Sequence, residues 1–136
     1  MPQALLLIDL RRILLILVLL LGVPAQAEWI KIAHNEQSVF YLDSNTSKKV
    51  EGRVMIWVLR EHAGLRFSPN GAFQSSKDQF DVDCFGRRIR RIYSSDHPKS
   101  MGEGKAVNFE HGPMSWNYAA PNTIVGRIVD VACARP

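Results

Sequence analysis

The stretch Arg53-Val54-Met55-Ile56-Trp57-Val58-Leu59-Arg60-Glu61 decides the fold class. Its β-branched and aromatic residues suit a strand, and successive side chains of a strand point to opposite faces. Val54, Ile56 and Val58 therefore share one face, and Met55, Trp57 and Leu59 the other. Both faces are apolar, so the strand is expected to be central and covered on both sides. One cover can be a helix; the other can be a second protomer or a ligand.

On the N-terminal side, Trp29 to Ala33 and Val39 to Asp43 are short apolar runs separated by the polar Asn35 to Ser38, the pattern of a hairpin. Asp43-Ser44-Asn45-Thr46-Ser47 is expected to be a loop. On the C-terminal side, Gly64, Pro69 and Gly71 mark His62 to Gly71 as a loop. Gln74 to Phe85 then alternates, with Phe80, Val82 and Cys84 opposed to Gln79, Asp81 and Asp83. Gly86-Arg87 places a glycine where a two-residue type II′ turn needs one. That turn would set Cys84 opposite Ile89, Phe80 opposite Tyr93 and Asp83 opposite Arg90, with Cys84 on the inward face. Pro98 to Gly104 is loop-like, and Ala106 to Glu110 and Ser115 to Tyr118 are short strands flanking a Gly112-Pro113 turn. After Pro121, Asn122 or Thr123 can cap a helix in which Ile124, Ile128, Val131 and Ala132 recur at helical spacing. The same β-branched residues would also suit a strand.

The chain has 136 residues, 46% hydrophobic and 22% charged, which suits a single folded domain. Much of the apolar content is concentrated in the 11 uncharged, non-polar residues from Ile13 to Val23. Arg11 and Arg12 precede them and Ala25-Gln26-Ala27 follows, so residues 1–27 read as a secretory signal peptide cleaved between Ala27 and Glu28. A retained anchor would want roughly 20 apolar residues, and the apolar Ala4 to Ile8 keeps that alternative in view. The paired arginines also admit twin-arginine export, but nothing else in the chain implies a cofactor loaded before export. The exported domain is then residues 28–136, with no stable membrane span.

Cys84 and Cys133 are the chain's two cysteines, and in an oxidising compartment they most simply form one disulfide. Closing about 50 residues stabilises the fold by roughly 4 kcal/mol in the chain-entropy account. The alternative, a reactive or metal-binding pair, would need a neighbouring ligand, and none is nearby in sequence. A bridge also favours the helix at the C-terminus, because a helix laid across the sheet can carry Cys133 over an inward-facing Cys84. The expectation is an α+β fold: an antiparallel sheet with one C-terminal helix packed on it, disulfide-linked.

Catalysis and metal binding find little support. His34, His62, His97 and His111 are widely separated, and no nucleophile elbow or phosphate-cradling glycine loop occurs. Asp81 and Asp83 could form an acid/base pair, but they serve better as cross-strand partners for Arg90. The chain reads as no enzyme, with no cofactor and no metal. Net charge is only +4, which suits neither nucleic acid nor an acidic tail. Binding is better supported. Arg87, Arg88, Arg90 and Arg91 form a basic cluster from which Arg88 and Arg90 project together, toward a polyanion or simply toward salt-pairing carboxylates. Trp57 with Met55 and Leu59, and Trp29 and Tyr41 on the first hairpin, supply an apolar surplus that one helix cannot cover. It implies a homodimer or a docked partner, unless long loops close it.

Several elements together resemble the surface-adhesin protein E family: Phe40-Tyr41-Leu42-Asp43, Trp57, Ser75-Ser76-Lys77 leading to Asp83-Cys84 and the basic arm, Met101-Gly102-Glu103-Gly104, Trp116, and Pro121 to Cys133. The resemblance implies a sheet of about six antiparallel strands with a C-terminal helix tied down by the disulfide. It also implies a non-enzymatic bacterial envelope protein, in a family whose members contact host matrix or plasma proteins. Lipid-anchored members carry a cysteine directly after the signal; here that place holds Glu28. The implied location is the periplasm or the outer-membrane surface, without a lipid anchor. The alternative role is a periplasmic structural or accessory protein binding an envelope partner.

Overall fold

The computed structural model describes residues 12–13, 28–45 and 49–134. The signal-peptide reading, except Arg12, Ile13 and Glu28, lies outside the described residues, as does the end of the Asp43–Ser47 loop. The strands are β1 (Trp29–His34), β2 (Ser38–Asp43), β3 (Lys49–Val50), β4 (Arg53–Ser68), β5 (Gly71–Asp83), β6 (Arg88–His97), β7 (Asn108–His111) and β8 (Asn117–Tyr118), followed by helix α1 (Ile124–Ala134). They form one antiparallel sheet with the order β1-β2-β4-β5-β6-β7; β3 pairs with β4 and β8 with β6. The six-strand path and the C-terminal helix match the sequence expectation.

Alternation along β4 divides the molecule. Val54, Ile56 and Val58 face α1 and join Leu42, Val82, Ile89, Ile128 and Val129 in the core. At about 1.5–3 kcal/mol per fully buried aliphatic side chain, this layer supplies most of the apolar stabilisation. Thr123 caps the helix: its Oγ1 accepts the Gly126 N–H at 3.0 Å. At the other end Lys49 Nζ donates to the Cys133 carbonyl at 3.1 Å, a cation placed where the helix dipole is negative. The Cys84–Cys133 disulfide, with Cα atoms 5.8 Å apart, fastens the last turn to the end of β5.

Two expectations are corrected. His62 to Gly71 is not a loop. β4 continues to Ser68, and the reversal is made by Pro69 and Asn70, with Ser68 paired to Gly71. The register slips between Glu61 and Arg66, where Gly64 lies with no neighbour near its missing Cβ. Gly64 accompanies a bulge in a strand that passes through, and the turn signal belongs to Pro69 and to Gly71, at φ 135°. The β5–β6 connection is also not a two-residue turn. The paired strands end at Asp83 and resume at Arg88, so Asp83 opposes Arg88, Asp81 opposes Arg90, and Phe80 opposes Arg91; Tyr93 opposes Gln79 after a bulge. Asp83 Oδ1 accepts the Gly86 N–H at 3.1 Å, and the Cys84 N–H turns away to the Gly52 carbonyl at 2.9 Å. The residues that leave the ladder are those that carry Cys84 to Cys133.

Candidate functional site

The sheet face away from α1 is built by Trp29 and Lys31 of β1, Tyr41 and Asp43 of β2, Met55, Trp57 and Leu59 of β4, and their partners on β5, β6 and β7. Both ends of this face are roofed. At one end the 3₁₀ turn Ser100–Gly102 folds back: the Met101 N–H donates to Glu61 Oε2 at 2.7 Å and the Gly102 N–H to Ser75 Oγ at 2.8 Å. Gly102, at φ 72°, lies against the Lys77 stem, where a Cβ would come within 2.9 Å of Lys77 Cδ. Leu59 is fully buried. The roof on this face is Lys99–Gly104.

At the other end lies the basic arm. Asp81 is nearly buried and bridges two guanidiniums. Arg53 forms a two-pronged pair with it, and Arg90 Nε donates to Asp81 Oδ2 at 3.1 Å. Arg88 Nε donates to Asp83 Oδ2 at 2.8 Å. The Trp116 ring lies over all three guanidiniums, with Arg88 and Arg90 at 4.4 Å and Arg53 at 4.9 Å from its centroid. Hydrogen bonding from Arg53 holds the Asp81 carboxyl below its usual range, and Arg88 does the same for Asp83. The other two arginines face elsewhere. Arg87 pairs with Asp130 at 2.6 Å and Arg91 with Glu110 at 2.9 Å. Every member of the cluster thus has a carboxylate partner, although Arg90 shares Asp81 with Arg53. Arg88 and Arg90 do project together, and their cross-strand partners are Asp83 and Asp81 rather than Arg90 alone with Asp83.

Between the two roofs an open cleft of about 350 Å³ crosses the sheet, lined by Trp29, Asp43 and Trp57, then Lys77, then Tyr93, Ser95 and His97. Trp57 and Tyr93 meet edge to face, centroids 5.9 Å apart with planes at 73°. Tyr93 continues the aromatic row to His111 at 5.1 Å and Phe109 at 6.2 Å. His97 and Ser95 form the floor. His97 Nδ1 contacts the Gly104 carbonyl at 2.9 Å, which can only accept, so Nδ1 carries the proton and Nε2 accepts from the Ser95 hydroxyl at 2.8 Å. The structure brings Trp29 and Trp57 into one cleft and leaves Tyr41 beside it, opposite Leu59. Lys77, Tyr93, Ser95 and His97 were not legible as site residues. Lys77 joins the Trp57 face through the β4–β5 register and Tyr93 through the β5–β6 register with its bulge.

His62 lies deep on the helix side. Ser76 Oγ donates to Asp96 Oδ1 at 2.6 Å, so its oxygen accepts from His62 Nε2–H at 2.9 Å, and His62 Nδ1 accepts from Ser38 Oγ at 3.1 Å. The row of Ser, His, Ser and Asp has the residue types of a nucleophile relay, but both hydroxyls are buried away from any substrate. Burial lowers the His62 pKa from 6.5 to about 4, so the imidazole is neutral near pH 7. Among the described residues no three His, Cys, Asp or Glu side chains gather as metal ligands, and no helix is long and apolar enough to cross a membrane.

A disulfide-pinned sheet with a helix packed on one face and an open aromatic cleft on the other has the form of a small recognition domain. The chain belongs to the surface-adhesin protein E family, whose sequence model matches residues 29–134. Solved structures of Haemophilus influenzae protein E share the fold. One aligns with a TM-score of 0.62 at 12% identity, over 83% of this chain and 89% of the other. A second crystal form gives 0.63 at 12% identity, covering 83% and 92%. Protein E from a non-typeable strain gives 0.58 at 14% identity, covering 83% and 80%. No curated protein sequence matches the chain significantly.

Proposed function

We propose that this chain is a non-enzymatic, exported bacterial envelope protein, cleaved between Ala27 and Glu28, whose residues 28–136 bind a host matrix or plasma protein through the helix-free face. The observation that carries the reading is the open aromatic cleft of Trp29, Trp57 and Tyr93 in a member of a surface-adhesin family. Aromatic side chains bury large areas at small entropic cost and anchor interfaces at their centres. Trp29, Tyr41 and Trp57 are the contact residues on this reading. Arg88 and Arg90 sit at its rim, where their carboxylate partners restrict them to supporting contacts. The same apolar face offers a route to a homodimer, and no nucleic acid or cofactor is required.

Purified residues 28–136 should bind immobilised matrix and plasma proteins saturably, and Trp57→Ala should weaken binding at least tenfold while the fold is retained. Equal binding by wild type and variant would refute the face assignment. A second reading, a periplasmic accessory protein, is favoured by Glu28 at the position where lipid-anchored relatives carry cysteine. Protease treatment of intact cells separates them, because a displayed adhesin is digested and a periplasmic protein is protected.

A further inference from the structure

The cleft on the helix-free face offers three kinds of contact at once, and their combination narrows the chemistry of what fills it. The first is aromatic. Trp57 and Tyr93 stand at 73° to each other and form a corner in which a saturated ring can lie against one ring and abut the other. The faces of aromatic rings are electron-rich and attract polarised C–H bonds. The second is a mixed polar set. The Asp43 carboxylate, positioned by accepting the Asn45 N–H at 2.8 Å, is an acceptor only. Lys77 is a donor only and makes no ion pair among the described residues. Ser95, its proton committed to His97, presents an oxygen that can still accept. Hydroxyl groups both donate and accept, so a polyol can use all three.

The third feature concerns the backbone. Trp57, Gln79 and Tyr93 lie opposite one another inside paired strands. The main-chain groups beneath the cleft belong to the ladders, and the surface there is made of side chains alone. An extended peptide laid here would leave its own amides without partners, at a cost comparable to lost hydrogen bonds. A sugar ring has no such requirement. The cleft reaches from β1 to β6, four inter-strand spacings or roughly 19 Å, and is therefore long enough for several linked rings.

We propose that this cleft is a carbohydrate site that takes a short pyranose chain laid across the strands, with rings on Trp29, Trp57 and Tyr93 and hydroxyls on Asp43, Lys77 and Ser95. The inference rests on the helix-free face being the binding face and specifies the chemistry it reads. The glycan can come from a host glycoprotein or from an envelope polysaccharide, and the probes are chosen to separate the two.

Tryptophan fluorescence and amide NMR of residues 28–136 are titrated with 3′-sialyllactose and lacto-N-neotetraose, representing glycoprotein termini, and with chitotriose, representing envelope amino-sugar polymers. At least one probe should give a saturable response, with shifts centred on Trp57, Lys77 and Tyr93. Trp57→Ala and Lys77→Met should each weaken it at least tenfold, and Phe85→Ala, at the exposed β5–β6 turn, should leave it unchanged. Lys77→Met keeps the stem that packs on Gly102, so it serves even where Trp57→Ala unfolds. No saturable response to any probe up to about 10 mM, or an equal response in both cleft variants, overturns the proposal. Fibronectin before and after enzymatic removal of its glycans separates the two levels. Undiminished binding after deglycosylation, with no free sugar bound, overturns the sugar site and leaves the adhesin reading standing.

Discussion

Lowering the pH from about 7.5 to 4.5 should destabilise this protein through one residue, His62. Its ring is buried, with Nε2–H donated to Ser76 and Nδ1 accepting from Ser38, and its pKa falls from 6.5 to about 4 through burial, with Arg66 and Arg60 adding repulsion. In this interval the unfolded chain takes up a proton that the folded chain refuses. Stability is therefore fully present above about pH 6.5 and is lost as the pH falls toward 4. The gap corresponds to about 3 kcal/mol at most, and to roughly 2 kcal/mol after allowance for solvent screening. Guanidinium unfolding, followed by tryptophan fluorescence at several pH values, should show this loss in the wild type and not in His62→Gln. Every other group is the same in both proteins and cancels in the difference. Asp81 and Asp83, with lowered pKa values, act only in a more acidic window. Equal pH slopes in the two proteins, or an imidazole NMR titration of His62 centred near 6.5, would refute the reasoning.

Four further outcomes follow from named contacts. Replacing both cysteines by serine should cost about 4 kcal/mol, because the bridge closes a span of 49 residues; a change under about 1 kcal/mol in chemical denaturation would contradict it. Asp81→Asn should cost about 2 kcal/mol and alter Trp116 fluorescence, since Arg53 and Arg90 lose their shared carboxylate. Thr123→Ala should remove about 1 kcal/mol by taking away the helix cap. Gly126→Ala should destabilise by about 2 kcal/mol despite the better helix propensity of alanine, because the new Cβ would come within 2.1 Å of the Ala120 carbonyl oxygen; thermal unfolding decides between gain and loss.

Local pattern located most of the strands, though it read His62–Ser68 as loop, and the two cysteines favoured a helix over a strand for the last segment. Alternation in Arg53–Glu61 assigned Val54, Ile56 and Val58 to one face and Trp57 to the other, and α1 covers the former. The spacing of Ile124, Ile128, Val131 and Ala132 admitted the helix with Asn122 or Thr123 as cap, and the structure selects Thr123. These features were legible because side-chain direction within one element is fixed by its own backbone geometry. Tertiary structure alone decided what meets across elements. The connection at Cys84–Arg87 paired Asp81 rather than Asp83 with Arg90, and the bulge between Gln79 and Phe80 set Tyr93 opposite Gln79. Trp116 came to lie on three arginines from two strands. Lys77, Ser95 and His97 joined Trp29 and Trp57 in one cleft. Register depends on turn length and on bulges, each a matter of one or two residues whose cost is settled by the packing they permit. The strand face that looked too apolar for a lone sheet was therefore visible in the sequence, whereas its roofs and the cleft between them arise only when the strands are paired.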